Sequence, residues 1–198
     1  MKDIEEVKEM LKTRLTEKRY NHSLGAMKAA REIAKMYGED EEEAEFAGLI
    51  HDIAKEFSKE EIENALEKYN IVPDEIEAKQ MGLLHAELGA EVAKAEFGAS
   101  EKVQNAIKYH TTGNIEMDTF AKIIYLADKI EETRTYEEVE ELRTLAKEDL
   151  DRAILFTLDF TIQKSIRKKS LIHPDTINLR NKLLQNLRNK LLQTLDNQ

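Results

Sequence analysis

An all-α fold is predicted by three observations. Glu, Lys, Leu and Ala dominate the chain, and all four favour helix. Gly and Pro number only 7 and 2 in 198 residues, so helix breakers are scarce. Apolar residues recur at three- and four-residue steps from the start, as in Ile4, Val7, Leu11 and Leu15.

That first stretch reads as an amphipathic helix. A second helix runs from about Glu17 to Tyr37 and ends at Gly38. Asp40 is placed to cap the third, which the apolar pattern carries from Glu41 to Phe57 with His51 and Asp52 inside it. Ser58 and Glu61 form a capping box for a helix to about Tyr69, and Pro73 opens a shorter stretch. Met81 to Phe97 is helical, contains His85 and closes at Gly98. Small residues beside it, Gly89 and Ala90, allow another helix to come close. Ser100 can cap a helix that ends at His110, where Thr111-Thr112-Gly113-Asn114 breaks the pattern. Helices follow from about Asp118 to Glu132, from Tyr136 to Ala146 and from Asp149 to Lys169. Pro174 starts a long last helix over about 174–195, with His173 and Asp175 beside it.

A chain of this length is normally one domain with room for a proper core, here 1–198 with the core over about 17–170. Apolar residues make up 41% and charged residues 35%, which fits helices with many solvated faces. The net charge of −10 argues against a general affinity for nucleic acid or for anionic membrane. A small anionic substrate stays open, because bound metal ions reverse the local field. Cysteine is absent, so any metal must be held by nitrogen and oxygen. The start MKDIEEVKEM has no apolar signal core and no run approaches 18 apolar residues, so the expected location is the cytoplasm.

One oddity is local. LRNKLLQ occurs at 179–185 and again at 187–193. A period of eight turns a helix roughly 80° past two full turns, so the repeat does not maintain one apolar stripe. It reads as a small tandem duplication lengthening the last helix, with a dimerising or partner-binding helix as the alternative.

The candidate chemistry lies in six side chains on five helical stretches: His22, His51, Asp52, His85, His110 and Asp128. They use four of the chain's 5 histidines. Each has an ordinary explanation. His51 could cap a neighbour and Asp52 could pair with Lys55. His22 could be a half-exposed helix histidine, His85 a satisfied core histidine and His110 a cation at a helix C-terminus. Asp128 could pair with Lys129 or Arg134. Asp52 and Asp128 both lie among apolar residues, however, and a buried carboxylate is costly unless paired or coordinated. Together the six suit iron, manganese, cobalt or zinc, and exceed what one tetrahedral zinc needs. They fit two metals bridged by Asp52; neighbours on a helix point about 100° apart, so His51 and Asp52 can both touch one metal only if the helix meets it side-on or if Asp52 bridges two. Arg19, Lys55 and Arg134 lie near these residues in sequence and can reach phosphate oxygens, or be ordinary surface charge.

The order of those residues resembles the HD superfamily of metal-dependent phosphohydrolases. The longer segments RYNHSLG, GLIHDIAKE, LLHAELGAEVA, AIKYHTTG, IYLADKIEETR and IHPDTINLRN resemble its YqeK family over about residues 1–185. The duplicated LRNKLLQ departs from that pattern and touches no site residue. The resemblance implies an HD-domain helical bundle holding two metals, with iron the first expectation and manganese or cobalt the alternatives. It implies symmetrical cleavage of diadenosine tetraphosphate to two ADP by a metal-activated hydroxide. His22, His51, Asp52, His85, His110 and Asp128 would be the metal ligands, with Asp52 shared. Arg19, Lys55, Thr111 and Arg134 would hold phosphates, and His173, Thr176 and Arg180 would lie toward the nucleotide. Asp52, Lys55 and Arg134 are the residues expected to serve catalysis, while Asp52, His85 and Asp128 would also reach the substrate. The expected partner is a small dinucleoside polyphosphate, with a homodimer open. The rival readings are hydrolysis of a nucleoside monophosphate or guanosine alarmone, di-iron oxygen chemistry, and a nucleotide sensor without turnover.

Overall fold

Helix starts follow the capping chemistry of the sequence. The computed structural model describes residues 1–196; Asn197 and Gln198, which the expected 1–198 domain includes, lie outside the described residues. The described elements are α1 (Ile4–Arg14), α2 (Glu17–Tyr37), α3 (Glu41–Ile50), α4 (Lys59–Tyr69), α5 (Glu75–Lys79), a 3-10 turn (Met81–Leu83), α6 (His85–Phe97), α7 (Glu101–Tyr109), α8 (Thr119–Ile130), α9 (Val139–Glu148), α10 (Leu150–Lys168) and α11 (Pro174–Asp196). No strand occurs among the described residues. Side-chain oxygens of Asp40, Ser100 and Asp118 accept from first-turn amides of α3, α7 and α8, and the Ser58–Glu61 capping box is present at α4. Each cap contributes about 1 kcal/mol. Gly38 and Gly98 end α2 and α6 at φ 72° and 67°, a conformation that costs glycine nothing.

Three elements depart from the sequence reading. The third helix stops at Ile50 rather than Phe57, and residues 51–56 form successive turns. Ile53 and Ala54 are buried in those turns, so the apolar pattern continues although the helix does not. Glu56 holds the turns in place by accepting from the backbone N–H and the hydroxyl of Thr16 at the start of α2. The expected Met81–Phe97 helix begins as a 3-10 turn, and α6 proper starts at His85. The helix expected from Tyr136 begins only at Val139, because Tyr136 is used in the preceding loop, where its hydroxyl donates to Lys129 O.

One apolar core runs from Val7 in α1 to Leu183 in α11 and includes Phe46, Phe97, Phe120 and Tyr125. Within it α2 lies against α3 and α8, α6 against α7, and α10 against α9 and α11. A smaller cluster, Ala54, Ala65, Leu84 and Leu88, packs beneath α4. α11 passes through both copies of LRNKLLQ without a break. Leu183 is buried whereas Leu191, eight residues on, is 64% exposed, so the copies do not share an environment. None of the described helices is long and apolar enough to cross a membrane.

Helices α2 and α3 approach closely at Gly48. A Cβ there would lie 2.7 Å from the Ala26 carbonyl oxygen and 2.9 Å from Ala30 Cβ. At Gly89, by contrast, it would make ordinary contacts at 3.4 Å and beyond. Gly48→Ala is therefore expected to force α2 and α3 apart and to cost about 1–3 kcal/mol. That exceeds the gain of about 1 kcal/mol in helix propensity. Urea unfolding checks this, and an unchanged midpoint would contradict the packing.

Candidate metal centre

Five elements deliver six side chains to one buried point. His22 comes from α2, His51 is the residue that caps the end of α3, and Asp52 follows in the turns beyond. His85 opens α6, His110 closes α7 and Asp128 lies in α8. All six are buried. The end of α3 at Ile50 lets His51 and Asp52 face the same point, which neighbours inside a continuous helix do not normally do.

The cluster has two halves joined by one carboxylate. Asp52 Oδ2 lies 3.6 Å from His22 Nε2 and 3.7 Å from His51 Nε2. Asp128 Oδ1 joins that half, 3.1 Å from His22 Nε2 and 3.7 Å from His51 Nε2. Asp52 Oδ1 faces the other way, 3.3 Å from His85 Nε2 and 3.5 Å from His110 Nε2. His22, His51 and Asp128 form one group able to hold a metal ion, and His51, Asp52 and His110 form another.

The donor set fits metal ions. His51, His85 and His110 each donate Nδ1–H to the carbonyl three residues back, on Gly48, Gly82 and Ile107. A carbonyl can only accept, so Nδ1 carries the hydrogen and Nε2 presents its lone pair. His22 places Nδ1 on the Glu131 carboxylate at 3.0 Å to the same effect. The Nε2 atoms of His22 and His51 then face each other at 3.1 Å, as do those of His85 and His110. Paired lone pairs at that distance need a cation or a shared proton between them. A fixed Nδ1–H with Nε2 directed at a common point is how metal-binding histidines are oriented.

The electrostatics agree. Burial pushes His85 down, and pushes His110 down to about 4, which leaves both imidazoles neutral near pH 7, as ligation requires. His22 is the exception: burial opposes its charge, but its contacts with Asp128 and Glu131 prevail and raise it, so a metal bound there would displace a proton. Burial would raise the Asp52 carboxyl, yet the facing imidazoles of His51, His110 and His85 hold it well below the carboxylate range. Asp128 is likewise held down against burial, by Lys129 first and then by His22 and His51.

Cations ring the cluster. Arg19 Nη1 donates to Asp52 Oδ2 at 3.0 Å. Lys55 Nζ lies 3.0 Å from His85 Nε2, and burial pushes its ammonium below the usual lysine range. Arg134 donates from Nη2 to Asp128 Oδ1 at 2.6 Å and from Nε to the Asp128 carbonyl at 2.9 Å. The Thr111 hydroxyl sits 3.1 Å from both His85 Nε2 and His110 Nε2. His173 is farther out, paired with Asp74 at 2.7 Å, and lines a narrow cleft with Thr111. Thr176 and Arg180 are committed elsewhere: the Thr176 hydroxyl donates to Thr112 O, and Arg180 pairs with Asp159.

Glu131, Gly25 and Arg143, which nothing in the sequence singles out, support the site alongside Lys129. Glu131 is buried at the end of α8 and binds His22 as well as the N–H and hydroxyl of Thr133. Gly25, one turn beyond His22, leaves room for it, since a Cβ there would meet Glu131 Oε2 at 2.5 Å. Arg143 donates to the carbonyls of Ile130, Glu131 and Arg134 and so fixes the loop after Asp128. Lys129 pairs with Asp128 and donates to His110 O. The only signal for Glu131 in the sequence is its three-residue offset from Asp128, which is too common to single it out. Glu131→Gln is expected to weaken metal binding about 10–100-fold, the usual range for a group that orients a ligand. Metal titration by calorimetry reads this directly, and an unchanged affinity would contradict it.

A family model described as the HD domain matches residues 19–133, the span that contains all six clustered side chains. The chain belongs to the HD domain family. A Halalkalibacterium halodurans protein named a symmetrical bis(5'-nucleosyl)-tetraphosphatase is 41% identical over 177 residues, covering 89% of this chain and 94% of that one. A Bacillus subtilis protein of the same name is 36% identical over 181 residues, covering 91% and 97%. A crystal structure from Clostridium acetobutylicum, described as a predicted HD superfamily hydrolase involved in NAD metabolism, is 40% identical with a TM-score of 0.90, covering 94% of this chain and 99% of that one. Within the HD family the chain falls in the YqeK-type branch that its segments resemble.

Proposed function

We propose that this HD protein is a metal-dependent hydrolase that cleaves diadenosine tetraphosphate symmetrically to two ADP. The observation that carries the reading is Asp52, with one oxygen toward His22 and His51 and the other toward His85 and His110. The names of the high-coverage relatives support the substrate. Two metals held by the six clustered residues, with iron as first candidate and manganese or cobalt as alternatives, would supply a water of lowered pKa and Lewis-acid stabilisation of phosphate oxygens.

The reaction consumes one water. Its oxygen bonds to one of the two central phosphorus atoms, the central P–O–P bridge breaks, and a proton is released with two ADP. The leaving group is itself a phosphate, a weak base, so charge neutralisation matters more than a strong general acid. Arg19, Lys55 and Arg134 are the side chains we assign to that task, with Thr111 as a phosphate hydrogen-bond donor. Their present partners are Asp52, His85 and Asp128, which puts each cation within reach of oxygens held at the cluster. The Nδ1 bonds keep the four rings from turning as charge shifts.

We also read the chain as one domain acting in the cytoplasm on a small nucleotide, with no nucleic-acid or membrane partner. A homodimer through its helices is compatible with this reading. The test is anaerobic purification, metal counting and a substrate panel. Two metals per chain with turnover confined to dinucleoside polyphosphates is the expected result. Preferred turnover of NAD, a nucleoside monophosphate or a guanosine alarmone would replace the substrate. Full metal loading with no turnover would replace the enzyme by a sensor.

A further inference from the structure

One cleft reaches the cluster at His22, and a second lies beside Thr111, next to the His85 and His110 half. The first holds about 360 Å³ and is lined by Lys18, Arg19, His22, Thr133, Arg134 and Tyr136, among others. The second, beside Thr111, holds about 70 Å³, and its lining includes the carboxylates of Glu77, Glu87 and Asp175. They are unequal in both size and charge. The first carries cations and no carboxylate, and its volume falls in the range of small-molecule sites. The second is narrower, and its lining mixes those carboxylates with Lys108 and His173.

Tyr136 gives the first cleft a rigid aromatic wall. Its ring stacks on Phe160 with centroids 5.9 Å apart and planes inclined by 16°. Its hydroxyl donates to Lys129 O at 2.7 Å. Tyr136 lines the cleft and Phe160, stacked on it, does not. A ring fixed in this way offers a flat surface at little entropic cost, next to two guanidinium groups that suit phosphates.

We propose that this cleft holds one nucleoside diphosphate half of the substrate, with Tyr136 as the platform for its nucleoside and Arg19 and Arg134 on its phosphates. The two halves of a symmetrical substrate are then bound unequally, and Tyr136 is a specificity-determining residue. The inference rests on the dinucleoside polyphosphate reading above.

Two measurements on the metal-loaded full chain test it. Tyr136→Leu is expected to raise KM for diadenosine tetraphosphate roughly 5–150-fold, the scale of one lost base–aromatic stack, with a smaller change in kcat. Tyr136→Phe keeps the ring and recovers most of the loss. In calorimetry the wild type binds ADP more tightly than inorganic pyrophosphate, and Tyr136→Leu removes that preference. Equal defects in the Phe and Leu variants would assign Tyr136 to holding the end of α8 and overturn the proposal. So would a Leu variant with unchanged KM and ADP preference. Failure of the wild type to cleave diadenosine tetraphosphate would instead sink the substrate reading, while the ADP and pyrophosphate comparison would still decide the cleft.

Discussion

Asp52→Asn is expected to remove metal and turnover together. The substitution preserves shape, so folding is not at issue. It replaces an anion that serves both halves of the cluster by an amide that serves one. The amide oxygen can face only His22 and His51 or only His85 and His110, and the NH2 group then donates toward the other pair of Nε2 atoms. A hydrogen bond would form where a cation belongs. Arg19 also loses its carboxylate partner. The fall in kcat should exceed the roughly 10²–10³-fold cost of losing a single transition-state donor, because both halves of the site are affected. Metal analysis of the purified variant, beside its turnover, checks this. Full activity with fewer metals than the wild type would contradict the shared role of Asp52.

Chelation should cause the largest stability change. The cluster buries two carboxylates and four imidazoles between α2, the turns after α3, α6, α7 and α8. Arg19, Lys55, Lys129 and Arg134 surround it. An ion that binds the folded chain and not the unfolded one stabilises by about 4 kcal/mol at a thousandfold excess over its Kd. For a chain of this size each kcal/mol moves Tm by about 2–4 °C, so chelation should lower Tm by roughly 8–16 °C. Adding metal back should restore it. A Tm indifferent to chelator would mean that the cluster is held by its own hydrogen bonds and does not need an ion.

The ligand-type residues were legible because each is a chemically distinctive side chain in an apolar helical setting. What brings them together was less so. Nothing in GLIHDIAKEF marks the end of a helix at Ile50, since no Gly or Pro follows and Ile53 and Ala54 continue the buried pattern. In the turns beyond it Glu56 reaches Thr16, 40 residues earlier in the chain, a contact that sequence periodicity does not reveal. Glu131 and Arg143 act on the site through contacts set by the packing of α2, α8 and α9, and neither stands out from an ordinary charged helix residue. Tyr136 looked like the first residue of a helix; the loop that uses it instead is held by hydrogen bonds to backbone carbonyls, which sequence periodicity does not reveal. The period-eight argument for LRNKLLQ did carry through, because rotation per repeat follows from helix geometry alone.

The central claim is tested most directly by the products formed from diadenosine tetraphosphate. Metal-loaded protein, incubated with this substrate and resolved by ion-exchange chromatography at early times, should yield ADP alone. AMP and ATP in equal amounts would place the attack on a terminal phosphorus and contradict symmetrical cleavage.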